Sequence, residues 1–240
     1  MAPRRQHFTK SLVVYSAAMK IIPSQPSMVE QVHKAILSEI ASGKLPARAR
    51  IIQEQIAQSL GVSRQPVQHA LTLLRNHGIL QDAPGRGLQV APMDLAYVRQ
   101  IYDVRAVIEG LAFRKAAENN AEQAGSKGPN LIRAGNKAAD SGSVPAMIAA
   151  DMAFHQFIYA LSGNPLLAPS MEAHWTHTQR VMGEVLIRDD KPRDVWEQHQ
   201  ELLETVVKGQ AAQAERLAKK HILDAADFMI ERLRSEGKNV

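Results

Sequence analysis

Apolar residues recur at three- and four-residue steps along most of this chain, and the spacing changes only between residues 79 and 91. In "PSMVEQVHKAILSEIASGKLP", Val29, Val32, Ile36, Leu37 and Ile40 share one helical face. Ser27 stands where that helix can be capped, and Gly43 and Pro46 where it ends. Ile52, Ile56 and Leu60 mark a second, short helix that Gly61 stops. Ser63 is placed to cap a third, which turns Val67, Ala70, Leu71 and Leu74 inward and ends at Gly78. Two short helices joined through "LGVS" predict a helix-turn-helix. Two extended runs follow, residues 79–82 and 88–91, around Pro84, Gly85, Arg86 and Gly87. That turn can take positive φ, so the spacing predicts a hairpin, and a hairpin beside a helix-turn-helix is a wing.

From Asp94 onward strand signals vanish. Helical stretches are predicted at about 94–119, 127–140, 144–163, 166–189, 192–208 and 210–235, separated by "NNAEQAG", "SGSVP", "SGNP", "DDKPRD" and "KGQ". Helices of this length with short loops make a bundle. The expected fold class is mainly α: an N-terminal winged helix-turn-helix over 27–92, then an all-α six-helix bundle over 93–240. Residues 1–26 read as a flexible extension. No internal repeat and no Gly-rich phosphate loop is evident.

Length and composition narrow the chemistry. The 240 residues suffice for one large domain or two smaller ones. With 5 Phe and 4 Tyr, aliphatic side chains must fill the interior. The absence of cysteine excludes disulfides, thiolate metal sites and cysteine nucleophiles. Charge is unevenly divided: residues 1–92 hold 11 Lys and Arg against 4 Asp and Glu, whereas 93–240 hold 18 against 20. A basic front half is the electrostatic footprint of phosphate binding, although a basic tail alone would produce the same asymmetry. The opening "PRRQHFTKSLVVYSAAM" resembles an export signal only loosely, because its apolar run is short and no small-x-small cleavage site follows. No stretch has the ~18–20 apolar residues of a membrane span. The expected location is the cytoplasm.

One candidate site is the polar face of helix 64–76. With Val67, Leu71 and Leu74 inward, Arg64, Gln65, Gln68, His69 and Thr72 point outward, and Arg64 has no evident partner. The major groove of DNA accepts a helix, and bidentate side chains such as Arg and Gln read its floor. Ser63 and the free N–H groups of the helix start suit a phosphate. Arg86 at the wing tip can reach the backbone or the minor groove, and Arg48 and Arg50 add charge. An ordinary solvated helix in a small basic domain has the same pattern. The segment "GKL…IIQEQIAQSLGVSRQPVQHALTLLRNHGILQDAPGRGLQV" resembles the winged helix of the GntR family of bacterial transcription regulators over about 29–92. The matching positions are "LGVSR-PV--AL--L---G-L" and "G-GL-V". Two positions depart: the family usually has arginine at Gln68 and often one near Gln55. Because both commonly contact DNA, the preferred operator is expected to differ from the commonest family sequence.

The second candidate lies in the bundle. "DMAFHQF" puts Asp151 and His155 four apart on one helix face. His199, among Val195, Trp196, Leu202, Leu203 and Val206, and His221, beside Leu217, Ala225 and Phe228, also fall on inward faces. Burying them without a shared partner would cost on the order of several kcal/mol. A divalent metal would satisfy all four, and core histidines bonded to neighbours remain the alternative. The marks "D---FH---…-SGNP-L", "H-ELL-----G-" and "A----H" resemble the FCD ligand-binding domain of the FadR-like branch of these regulators, over about 94–236. That resemblance implies Asp151, His155, His199 and His221 as metal ligands, and imidazole and carboxylate donors fit Zn, Ni or Mn. It also implies an arginine near a bound effector at Arg105, for which an Arg105–Glu109 helix pair is the competing reading. His174 and His177 fall outside the ligand pattern and either line the pocket or lie exposed. Asn164 reads as a turn cap.

Together these imply a transcription regulator, expected to be a repressor: a homodimer on a double-stranded DNA operator, controlled by a small organic acid at the metal site. The alternative is a metal-dependent hydrolytic or lyase-type enzyme with an accessory winged helix, for which a general base is missing. A third reading keeps the regulator but has the four residues bind the effector directly.

Overall fold

A computed structural model describes residues 26–186 and 193–235. The N-terminal extension expected at 1–26 therefore falls, save for Pro26, outside the described residues. The chain begins with α1 (Met28–Ala41), followed by β1 (Arg50–Ile51), α2 (Gln53–Leu60), α3 (Arg64–Asn76), β2 (Leu80–Asp82) and β3 (Leu88–Val90). Ser27 and Glu30 close a reciprocal capping box on α1: Glu30 N donates to Ser27 Oγ at 3.2 Å and Ser27 N to Glu30 Oε2 at 2.7 Å. Val32, Ile36, Leu37 and Ile40 pack with Val67, Ala70, Leu71 and Leu74 of α3, and Ile79, Leu80 and Val90 complete this core. The helix-turn-helix and its wing are present as expected.

Three details differ from the sequence reading. Ile52 and Leu60 are 48% and 40% exposed, and Ala57 is the buried position of α2. An eight-residue helix has little inward face, and the small Ala57 suits its contact with α3. Ser63 occupies the N-cap of α3 without a side-chain capping bond, and Gln53 Nε2 instead donates to Arg64 O at 2.8 Å. The strand β1 was not foreseen, because two residues cannot reveal a period. It pairs antiparallel to β3 in the order β1-β3-β2, with Arg50 opposite Gln89 and Ile51 opposite Leu88.

The bundle comprises α4 (Leu95–Asn119), α5 (Ala121–Asp140), α6 (Val144–Leu161), α7 (Leu167–Leu186), α8 (Arg193–Val207) and α9 (Ala211–Ser235). Helices α4 and α9, each 25 residues, form its most extensive pairing. Asp94 caps α4 by accepting from Ala96 N and Tyr97 N. Asn164 caps the turn before α7, its Oδ1 accepting from Leu166 N at 3.0 Å. Helix α5 starts at Ala121, six residues before the expected start, and runs through Gly125, Gly128 and Pro129. Gly costs a helix about 1 kcal/mol and Pro about 3 relative to Ala, so tertiary packing has overridden propensity. The reason is close approach to α8: a Cβ at Gly128 would lie 2.5 Å from Leu203, and one at Gly135 2.2 Å from the Trp196 ring.

Helix α6 is long and apolar enough by composition alone to cross a membrane. Here it is a core helix, burying Phe154, Ile158 and Leu161 and carrying Asp151 and His155 inward. Two apolar clusters fill the bundle. One holds Phe113, Phe154, Trp175, Trp196 and Leu202; the other holds Ile101, Tyr102, Val181, Val185 and Ile222, and also takes in Ala41 from α1.

Candidate functional sites

The outward face of α3 consists of the residues the pattern indicated. Arg64, Gln65, Gln68, His69 and Thr72 are all exposed, while Val67 and Leu74 are fully buried beneath them. Thr72 Oγ1 donates to the Gln68 backbone carbonyl at 2.9 Å. Arg64, expected to be unpaired, forms an ion pair with Glu54 of α2. Both side chains are exposed, and such pairs contribute about 0–1 kcal/mol, so a phosphate or base edge can displace Glu54. Arg86 is exposed at the wing tip. Arg50 serves the wing itself: its guanidinium donates to Arg86 O at 2.7 Å. Arg48 is exposed beside β3, in the left-handed region at φ 68, with its N–H bonded to Val90 O at 2.8 Å.

In the bundle, α6, α8 and α9 bring His155, His199 and His221 together. One ring nitrogen from each lies within 4.8 Å of the others, and all three residues are buried. Asp151 joins from one turn before His155: its Oδ1 lies 3.6 Å from His199 Nε2 and 3.9 Å from His155 Nε2. Among the described residues, neither nitrogen of His199 has a hydrogen-bond partner, although the residue is fully buried. The ring is stacked on Phe154 at 4.6 Å and edged by Trp196 at 4.7 Å, so packing fixes its orientation. Burial depresses the pKa of His199, and lowers that of His221 to about 3, each helped by a neighbouring imidazole. Burial also raises the Asp151 pKa, against the pull of His155 and Arg105. Neutral imidazoles converging with a carboxylate are a donor set for a divalent first-row ion, and the bare His199 nitrogens fit that reading.

Contacts behind the histidines select the atoms that face the cluster. Gln198 Oε1 is 2.7 Å from His221 Nδ1, which must donate there and leaves Nε2 bare. Glu109 Oε2 lies against His155 Nδ1, favouring a proton on that nitrogen and leaving Nε2 toward Asp151 and His199. Burial opposes charge on Glu109, but His155 and Arg105 outweigh it and hold the pKa at about 2. The Arg105–Glu109 helix pair is therefore real, with Nε donating to Oε1 at 2.9 Å. The pairing does not remove Arg105 from the pocket. It lines the same cavity as Asp151, His155 and His221, with its guanidinium over the rings of Tyr102 and Trp175 at 4.9 and 4.6 Å. Burial disfavours that charge too, and Glu109 more than restores it. Glu109 is the residue that sequence reasoning undervalued. Its i−4 relation to Phe113 and i+4 relation to Arg105 were legible, but not its contact with His155, 46 positions away. The cavity measures about 380 Å³, and Phe228, which lines it together with His221, is 37% exposed.

His174 and His177 do not line this cavity. His174 is half-buried, its Nδ1 3.1 Å from Ser170 O. His177 lies against the winged helix, with Nε2 on His77 O and its ring edge-on to Tyr97 at 5.0 Å. Arg180, one turn on, donates to Ala91 O. A third contact on the same face of α7 is Gly183 against Ala41. Helix α7 thus faces the winged helix on one side, while Met182 and Leu186 line the cavity and Thr178 accepts from Arg105 at 3.2 Å.

Comparison with known proteins agrees with this architecture. Residues 28–90 match the bacterial regulatory proteins of the gntR family, and residues 100–224 match the FCD domain. An HTH-type transcriptional regulator of Streptomyces ambofaciens is 30% identical over 195 residues, 81% of each chain. The HTH-type transcriptional repressor RspR of Escherichia coli is 22% identical over 217 residues, covering 90% of this chain and 94% of its own. The solved structure of E. coli McbR/YncC superposes with a TM-score of 0.74 at 22% identity, over 86% of this chain and 98% of that one. With a winged helix and an FCD domain in one chain, this protein belongs to the GntR family of bacterial transcription regulators, in keeping with its FadR-like branch, and is a DNA-binding regulator and not an enzyme.

Proposed function

We propose that this regulator is a cytoplasmic repressor whose operator binding is controlled by a small organic acid held at a metal centre in the helical domain. The chain divides near residue 92 into a DNA-binding and an effector-binding part. Arg64, Gln65, Gln68, His69 and Thr72 face the major groove, Ser63 and the start of α3 face a phosphate, and Arg48, Arg50 and Arg86 supply backbone charge. Asp151, His155, His199 and His221 hold the ion, which is Zn²⁺, Ni²⁺ or Mn²⁺ on the chemistry of its donors. When bound, the ion supplies Lewis-acid positions for a carboxylate. Arg105 orients that carboxylate, with Glu109 and Thr178 holding the guanidinium in place.

The observation that carries this reading is His199: fully buried, with two nitrogens that find no partner among the described residues, and grouped with His155 and His221 where the cavity meets Asp151. Helix α7 supports the coupling, because it touches both the cavity and the winged helix. A ligand that draws Met182 or Thr178 inward would shift His177, Arg180 and Gly183 against α1 and the wing, biasing the DNA-competent arrangement. As a direct test, elemental analysis and native mass spectrometry of protein purified without chelator should find one divalent ion per chain. Operator release by acids should then require that ion. Metal-free protein that still releases operator on adding acid would instead favour direct binding of the effector by the four residues.

The repressor acts as a homodimer in this proposal. One short reading helix rarely gives tight specific binding, and two on a pseudo-palindromic site do. Val104, Val107 and Leu111 support a self-association surface on α4: they share one face and are 44%, 64% and 40% exposed. Val107→Glu should shift sedimentation from dimer to monomer and weaken operator binding. A native chain that sediments as a monomer at micromolar concentration with full operator affinity would refute the dimer.

A further inference from the structure

The cavity over His155 and His221 is selective in a way that the acid reading alone does not require. Its ligating groups and one arginine stand at the buried end: Arg105, Asp151, His155 and His221. Gln198 also lines it, with its Oε1 committed to His221, and the Tyr102 ring lies beneath Arg105. Most of the remaining wall is Met147, Met182, Leu186, Ile222, Met229 and Phe228, with Val195, Ala225 and Trp196 beside them. These side chains present thioethers, alkyl groups and rings, and the Trp196 indole N–H is the one hydrogen-bond donor among them. At the exposed rim stand the carboxylates of Asp194 and Asp224, the latter paired with Lys220, and Arg232, whose guanidinium sits over Phe228 at 5.3 Å.

This distribution discriminates among acids. A hydroxyl placed against the methionine wall gives up water and gains no partner, which costs roughly tenfold or more in affinity. A second carboxylate on a short body lies against the methionine wall, where it loses water and gains no partner, and one that reaches the rim meets Asp194 and Asp224 beside Arg232. An alkyl chain or aryl ring loses nothing and displaces water from an apolar wall, and methionines repack around varied shapes. Resting on the acid-effector reading above, we infer that the effector is a monocarboxylic acid with an apolar body, and that polyhydroxy acids and dicarboxylates are discriminated against.

The test is calorimetric titration of the full-length protein, loaded with Zn²⁺, against butanoate, hexanoate, octanoate, phenylacetate, D-gluconate and succinate. The dissociation constant should fall about fourfold per added methylene until the cavity is full, with a negative heat-capacity change. Gluconate and succinate should bind at least tenfold more weakly than hexanoate. Met182→Gln and Met229→Gln should flatten the chain-length dependence while zinc content, read by elemental analysis, stays near wild type. Gluconate or succinate binding more tightly than hexanoate would overturn the apolar class and leave a metal-anchored acid standing. Chain-length dependence that persists unchanged after chelation would support the apolar class and overturn the metal anchor. No heat with any acid on the zinc-loaded protein would overturn both.

Discussion

Gly183 of α7 lies so close to Ala41 of α1 that a Cβ on the glycine would sit 2.2 Å from the Ala41 carbonyl oxygen. The obstacle is backbone, so it cannot swing aside as a flexible side chain would. This contact joins the helix that borders the cavity to the first helix of the winged domain. Gly183→Ala should therefore cost about 1–3 kcal/mol by overpacking, read by chemical denaturation, and should change operator affinity with metal content unaltered. A variant within 0.5 kcal/mol of wild type, with normal operator binding, would show that the close approach is not needed.

Metal removal gives a second prediction. An ion that binds only the folded state stabilises it by about 2.7 kcal/mol at a hundred times its dissociation constant. Chelation should lower the melting temperature, and Zn²⁺, Ni²⁺ or Mn²⁺ should restore it. His199→Ala and His221→Ala should each abolish the restoration. His174→Ala should retain it, because His174 bonds to Ser170 O outside the cluster. Melting that ignores both chelator and ions would rule the site out.

DNA contacts separate by salt dependence. Arg64→Ala should weaken specific operator binding by about 1–3 kcal/mol if its guanidinium reads a guanine. Glu54→Gln removes the competing partner and should leave operator affinity the same or tighter. Arg86→Ala should weaken all sequences alike and flatten the salt slope by about one phosphate contact. Unchanged affinity in both arginine variants would refute these contacts.

The junction between the two parts should be acid-sensitive. Burial is the main cause that lowers the His177 pKa, to about 4, with smaller contributions from Arg180, His77 and His174; the bond to His77 O opposes it. The folded state thus binds fewer protons than the unfolded chain between about pH 6.5 and pH 4. The stability held by neutral His177 is complete above about pH 6.5 and is lost as the pH falls to about 4. His177→Gln should flatten the stability profile in that window and leave the profile above pH 7 parallel to wild type. Identical slopes for both proteins would remove His177 as the cause.

What the sequence by itself determined here is everything that depends on short range. The Val67, Ala70, Leu71, Leu74 stripe predicts which face of α3 is buried, because a helix repeats every 3.6 residues whatever surrounds it. The i, i+4 spacing put Asp151 and His155 on one face for the same reason. Long-range pairing needed the tertiary structure. Strand β1 is too short to carry a period and exists because β3 offers it partners. Helix α5 runs across Gly125, Gly128 and Pro129 because α8 packs against it, which local propensity opposes. Periodicity turned His199 and His221 inward, but only the crossing of α6, α8 and α9 brought their nitrogens within 4.8 Å of that of His155. Packing of α4 against α6 set Glu109 behind His155, and packing of α2 against α3 set Glu54 beside Arg64. A helix face specifies a direction, whereas the partner met in that direction is chosen by how whole helices pack.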